Sequence, residues 1–415
     1  MKKGISVISV GIFLAGLIVG AMIAQNGSRL VQDAEAAGGI VKSPTSAAPE
    51  RYVYYPGTEA LAPDEMRVIA CGTGMPAARH KQATACFLVE LGNGDKFFFD
   101  LGTGAMANVA ALMIPYDFLD KVFISHLHTD HWGDLASLWA GGWTAGRTSA
   151  LKVWGPSGPT EDFGTKFAVE HFLLAYNWDY RSRQATLANE PGRIEVTEFD
   201  YRGNNQVIYN QNGVTIRSWP AIHIADGAVS FALEWKGLRF VFGGDTGPNK
   251  WFIEHAKGAD LVIHESFFLP TQFVELYGRD LKATLNVTTV LHTSPQAFGK
   301  IMSVVRPRHA VAHHVFNDEE TRYEVYDAIR ETYDGPLSLA TDMMVWNVTK
   351  DEIKVRMAEA TESAYSVPGP KPVPFPEADV DPLMYYSKET LDGRWDVSDV
   401  EKKMKEEFKK KYGLD

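Results

Sequence analysis

The run Lys121-Val122-Phe123-Ile124-Ser125-His126-Leu127-His128-Thr129-Asp130-His131-Trp132-Gly133-Asp134 decides how this chain is read. Lys121 to Ile124 has the short apolar character of a buried strand. The three imidazoles and the carboxylate that follow within six positions therefore sit on the loop where that strand ends. Alternation sends His126 and His128 to one point, while Asp130 and His131 come round on the next turn to face a second. Imidazoles rarely converge unless they hold a metal or move a proton. A lone histidine would read as an ordinary satisfied polar side chain, but two points of convergence suit two adjacent cations.

The motif His126-x-His128-x-Asp130-His131 resembles the signature of the metallo-β-lactamase superfamily of binuclear metallohydrolases. The likeness extends to Cys71-Gly72-Thr73-Gly74-Met75-Pro76, to Phe99-Asp100-Leu101-Gly102-Thr103-Gly104 and to Gly243-Gly244-Asp245-Thr246, and it covers roughly residues 65–350. It implies a four-layer αββα sandwich with the metals at one edge between the sheets. Carried over residue by residue, it implies one ion on His126, His128 and His223, a second on Asp130, His131 and a late histidine, and Asp245 bridging the two. The late ligand is His314, with its neighbour His313 as the alternative. His171, on an apparent helix, and His255, after a polar and exposed-looking segment, are set aside. All of these donors are nitrogen or oxygen, and the two cysteines, Cys71 and Cys86, fall outside the set. That argues against a thiolate site and favours two divalent ions, zinc first, with manganese or iron also suited to a bridging carboxylate. Such a pair would activate a shared hydroxide for attack on an ester. Asp130 could aim it, and Asp100 and Asp134 either fix imidazole tautomers or serve as turn and helix-cap carboxylates.

Two further segments, Leu261-Val262-Ile263-His264-Glu265-Ser266 and Leu291-His292-Thr293-Ser294, resemble paired motifs of the ribonuclease Z-like branch, which also contains arylsulfatases and cyclic-nucleotide phosphodiesterases. The resemblance implies that Glu265 orients His292 as general acid for the departing oxygen. The bland alternative is a strand end and a helix cap. With 41 Lys+Arg against 52 Asp+Glu, a formal charge of −11, the chain lacks the overall basic character of a nucleic-acid binder. The expectation is thus a small-molecule ester substrate and no nucleic acid. A sulfate or phosphate ester leads, a lactone or carboxylic ester is the alternative, and a non-catalytic exported metal-binding scaffold is the reading from another class.

Lys2 and Lys3 precede an apolar stretch from Gly4 to Ala24, which fits an export signal or a retained membrane anchor. Residues 1–36 are therefore read as signal or anchor with its linker, and the catalytic domain as periplasmic or extracellular. Cys71 and Cys86 either pair in that oxidising setting or stay as buried thiols. Residues 366–415 form a proline-rich connector and a charged helix candidate from Val397 to Tyr412, which either wraps the domain, meets a second subunit, or is simply solvated. Between the metal motif and His223, Trp139, Trp143, Phe172, Tyr176, Trp178 and Tyr180 either wall a substrate pocket or pack as core. Arg147 is either an anion-binding group or a surface side chain. No substrate-binding residue is assigned.

Overall fold

The computed structural model describes residues 52–371 and 381–413. The signal or anchor reading for residues 1–36 lies outside them, as does most of the proline-rich connector. Two mixed sheets face each other. The first holds nine strands in the lateral order Val53–Tyr54, Ile353–Ala358, Met344–Val348, Met66–Gly72, Cys86–Leu91, Lys96–Leu101, Lys121–Phe123, Leu151–Pro156 and Ile194–Phe199. The second holds seven, in the order Leu337–Leu339, His309–His313, Leu261–Glu265, Leu238–Phe242, Val229–Trp235, Val214–Pro220 and Gln206–Gln211.

Strand alternation sorts the apolar residues into three layers. In Met66–Gly72, Met66, Val68 and Ala70 point between the sheets, while Ile69 and Cys71 point to the opposite face. The inter-sheet layer is aromatic: Phe99 lies 5.1 Å from Phe240 and 5.6 Å from Phe123, and Phe123 stacks on Trp154 at 4.8 Å. Burying each such ring contributes roughly 1.5–3 kcal/mol. On the outer faces, helices Ala105–Ala111 and Leu135–Thr144 cover the first sheet, and Lys250–His255, Pro295–Val305 and Arg322–Arg330 cover the second. Strands such as Met66–Gly72 and Leu261–Glu265 are buried on both faces, which is why they read as continuous apolar runs. The result is the four-layer αββα sandwich.

Cys71 and Cys86 form a disulfide beneath the first outer helix layer, a link that typically stabilises by about 2–4 kcal/mol. The aromatics of the insertion divide. Trp139 and Trp143 are core, their indole N–H groups donating to the carbonyls of Gly192 and Ala188, and Phe172 and Tyr180 pack against them. Trp178 stands in solvent. The helix Ser398–Tyr412 exposes its apolar residues Val400, Met404, Phe408 and Tyr412.

Arg147 belongs to neither of its two sequence readings. It is fully buried, and its guanidinium donates to the carbonyls of Leu138, Trp139, Ser149 and Pro191. Its side chain ties the middle of helix Leu135–Thr144, at Leu138 and Trp139, to the Ser149 and Pro191 segments, while its own N–H donates to the carbonyl of Gly142 near the helix end. Burial holds it down at about 10. Arg147→Met should cost about 3 kcal/mol or more, because several buried carbonyls lose their donor. Denaturant unfolding measures the loss, while the folded fraction keeps the KM of the unmodified protein; a raised KM at unchanged stability would restore an anion-binding role.

Candidate metal centre

The candidate side chains gather where strands of both sheets end. His126, His128, Asp130 and His131 follow Lys121–Phe123, Asp245 follows Leu238–Phe242, Glu265 closes Leu261–Glu265, and His314 follows His309–His313. Two close approaches and two left-handed residues make this convergence sterically feasible. A Cβ on Gly102 would lie 2.0 Å from the carbonyl oxygen of Asp130, so only glycine lets the strand end meet the metal loop. Gly244 has φ +60° and presses against Ser125, and it turns Asp245 into the cleft. Asp100 and His314 themselves adopt left-handed backbone, at φ 59° and 65°, which is uncommon for residues other than glycine and is held here by the surrounding structure.

Two groups of side chains result, and Asp245 belongs to both. In the first, His128 Nδ1 lies 3.0 Å from His126 Nε2 and 3.2 Å from His223 Nε2, and Asp245 Oδ2 is 4.0 Å and 3.8 Å from the latter two. In the second, Asp130 Oδ2 lies 3.4 Å from His131 Nε2 and 3.3 Å from His314 Nε2, and Asp245 reaches the same two nitrogens at 3.3 and 3.2 Å. The imidazoles are fixed from behind. His131 Nδ1 donates to Asp100 at 2.6 Å and His223 Nδ1 to the carbonyl of Leu291 at 3.1 Å. His126 Nδ1 meets Ser125 Oγ, whose hydroxyl donates to Asp100. Asp100 thus steadies one imidazole of each group, and the nitrogens left facing the clusters are Nε2 of His126, His131, His223 and His314 and Nδ1 of His128.

These residues fit a pair of divalent cations. Asp130 Oδ1, Asp245 Oδ1 and His131 Nε2 are buried without a hydrogen-bond partner among the described residues, a costly arrangement unless a ligand satisfies them. The Nε2 atoms of His126 and His223, whose Nδ1 sides are committed elsewhere, both turn a lone pair toward the space beside His128 Nδ1, an arrangement that a cation would satisfy. Burial pushes the Asp245 carboxyl up, but His314 and His131 outweigh it and hold the group well below the usual carboxylate range. Burial holds His223 down at about 4, which keeps it neutral and able to coordinate.

A third group adjoins the second. His292 Nδ1 donates to Glu265 Oε2 at 2.6 Å, while Glu265 Oε1 accepts the Thr246 N–H at 2.7 Å. The His292 ring stacks on Phe267 at 4.3 Å and lies 4.0 Å from Asp245. Burial would lower its pKa, but the Glu265 carboxylate prevails and holds it up at about 9.

The sequence readings fare differently from one another. His314 enters the cluster and His313 does not: it lies between Phe87 and Phe242, with both ring nitrogens unpartnered. Parity explains this, since Val311 and His313 share the inter-sheet face of one strand. Asp134 touches no imidazole. Its carboxylate accepts the Met106 N–H at 2.8 Å, so it joins two outer helices instead of fixing a tautomer. His171 is helical, as expected, and stacks on Phe167. His255 is buried rather than exposed, donating to Asn204 and packing on Trp219 away from the cluster. Sequence reasoning missed Ser125, although it stands within the decisive motif. It also missed Thr246 and Thr293, whose mutual hydrogen bond at 2.6 Å ties the Asp245 loop to the His292 loop.

Comparison with known proteins bears on the family and the fold. The family profile described as Beta-lactamase superfamily domain matches residues 114–315, and one described as Anti-Pycsar protein Apyc1 matches residues 66–151. The chain is 31% identical to ribonuclease Z of Mycobacterium marinum over 206 residues, which is 48% of this chain and 70% of that protein. Among solved structures it resembles the metallo-beta-lactamase fold protein YhfI from Bacillus subtilis, with a TM-score of 0.51 and 18% identity over 69% of this chain and 100% of the other. It also resembles a long form RNase Z from yeast, with a TM-score of 0.51 and 16% identity over 77% of this chain and 46% of the other.

One expectation is overturned by these relatives. A chain this close to a ribonuclease cannot be set apart from nucleic acid by its net charge. The −11 is a sum over the whole chain, whereas phosphate recognition depends on the local field, and Arg279 borders the cleft beside His292 and His314.

The parity argument is open to a direct check. Elemental analysis should find that His314→Ala loses about half of the bound divalent metal, one of two ligand sets being broken, while His313→Phe, which fits between Phe87 and Phe242, retains it all. The reverse pattern would exchange the two assignments.

Proposed function

The chain belongs to the metallo-β-lactamase superfamily and is a hydrolase of that fold, and from this premise we propose that it is a two-metal phosphodiesterase whose substrates include nucleotide or RNA phosphodiesters. His126, His128 and His223 would hold one ion, Asp130, His131 and His314 the other, with Asp245 shared between them. The imidazole-rich set without thiolate favours zinc. Divalent ions bound there supply charge neutralisation for an anionic phosphoryl centre and lower the pKa of water.

The protein's own groups supply the rest. Glu265 divides its two oxygens between the Thr246 N–H and His292 Nδ1, so the opposite ring nitrogen, Nε2, carries the proton toward the departing oxygen. Phe267 clamps the ring face to face, and the Thr293 to Thr246 hydrogen bond fixes the distance between this acid and Asp245. Such a positioned acid contributes typically 10²–10⁴-fold for a poor leaving group.

One observation carries the diester reading: two cavities meet at the cluster. The first, about 280 Å³, is walled by Pro156, Phe163 and Ile224 beside His126, His128 and His223. The second, about 220 Å³, lies on the side of His292 and His314. A phosphorus centre with two organic substituents fills both, while a sulfate or phosphate monoester fills one. The disulfide and the basic start followed by the apolar stretch from Gly4 to Ala24 support an oxidising compartment outside the cytoplasm, where nucleotide and RNA fragments would be the phosphodiesters met.

Steady-state kinetics on bis-p-nitrophenyl phosphate, p-nitrophenyl phosphate, p-nitrophenyl sulfate and a simple lactone tests this. The diester should be preferred, a chelator should abolish its turnover, and zinc should restore it; a preference for the sulfate or the lactone would refute the reading. His292→Ala should slow diesters with alkyl leaving groups by about 10²–10⁴-fold and p-nitrophenyl diesters far less, with metal content unchanged. Equal losses on both would remove the general-acid role.

A further inference from the structure

The cavity on the His292 side ends in two groups that the hydrolytic chemistry leaves unused. Helix Pro270–Tyr277 stops at Gly278, which takes the left-handed conformation at φ 61° and donates its N–H to the Val274 carbonyl. That reversal puts Tyr277, the last helical residue, and Arg279, the first beyond the turn, into one cavity with Asp245, His292 and His314. Tyr277 lines this cavity, its hydroxyl is buried with no hydrogen-bond partner among the described residues, and a buried orphan donor calls for a ligand or an ordered water. Arg279 lies over the Phe273 ring at 5.3 Å, and among the described residues no carboxylate pairs with it. Arg79, on the neighbouring loop, is by contrast spent: it pairs with Asp318 at 2.6 Å and lies over Phe316 at 4.2 Å. The cleft therefore offers one free guanidinium and one free phenol, on the side to which His292 would deliver its proton. A guanidinium beside a hydroxyl donor is the arrangement that binds a phosphate oxyanion.

Resting on the phosphodiesterase reading, we propose that this cavity receives the leaving group and that Arg279 and Tyr277 bind a further phosphate carried by it, so that the substrate is a phosphodiester whose departing alcohol is itself phosphorylated. In the step, the oxygen of one water forms a bond to phosphorus and that water gives up one proton, which passes to solvent and is matched by the proton that later restores His292. The bond from phosphorus to the leaving oxygen breaks with its electron pair on that oxygen, which takes the proton from His292 Nε2. The products are a phosphomonoester and an alcohol that keeps its own phosphate against Arg279. That second phosphate is either a terminal monoester on a small nucleotide or the next linkage of an oligonucleotide.

Three substrates separate the outcomes: a dinucleoside monophosphate, the same molecule with a monoester phosphate on the leaving nucleoside, and the trinucleoside diphosphate that extends it. The unmodified enzyme is expected to favour one or both phosphate-bearing substrates at least ten-fold in kcat/KM, mainly through KM. A preference for the monoester alone identifies a small nucleotide, and for the trinucleotide an oligonucleotide. Arg279→Ala, at an exposed position that does not threaten folding, should narrow that preference to within about three-fold, Arg279→Lys should restore part of it, and Tyr277→Phe should reduce it less than Arg279→Ala does. Equal efficiency on all three substrates, or an Arg279→Ala loss that is the same for all three, would overturn this inference while leaving the phosphodiesterase reading intact. Absence of turnover on all three would overturn both.

Discussion

The buried carboxylate of Asp245 is the constraint from which the rest of the site follows. It is 2% exposed and lies within 4.0 Å of ring nitrogens from His126, His131, His223, His292 and His314. An anion so far from water must be matched by cations or by donors aimed at it, and the imidazoles around it are mostly turned with their N–H groups outward. Four of the five are steadied by a group of their own: Asp100 for His131, Ser125 for His126, the Leu291 carbonyl for His223, Glu265 for His292. The two sheets therefore do more than enclose a core. They bring several strand ends and loops to one edge with close backbone approach, visible in the Gly102 to Asp130 contact and in the left-handed Asp100 and His314.

The same edge separates two kinds of work. Residues His126 to Asp245 build a place for positive charge, and the Glu265 and His292 pair, with Phe267 and the Thr246 to Thr293 tie, builds a place for one proton. They share a wall but not a function, since Glu265 holds its proton partner at 2.6 Å and approaches the metal-facing His314 only at 3.8 Å. The proposed hydrolysis of a phosphodiester would use both, and the two cavities flanking them would give the reacting centre its two directions.

What the sequence disclosed depended on how local each feature was. The H-x-H-x-D-H run was legible because its spacing alone makes its members converge, and the double sheet was legible through the family resemblance that this run carries, its strands being continuous apolar runs. The choice of His314 over His313 was also within reach, since Val311 and His313 share a strand face. Other features depend on contacts between distant segments. Asp134 bonds to a helix that begins near Met106, Arg147 is satisfied by carbonyls as far away as Pro191, and Tyr277 and Arg279 meet the cleft only because the chain reverses at Gly278. Net charge misled for a related reason: it averages over surface that the substrate never touches, and the relatives named as ribonucleases corrected it.

The central claim is that Asp245 stands between two cations. Anomalous diffraction at the zinc edge from crystals grown with zinc tests it most directly. Two peaks should flank the Asp245 carboxylate, one against His126, His128 and His223 and the other against Asp130, His131 and His314. A single peak, or none within bonding distance of Asp245, would contradict the account.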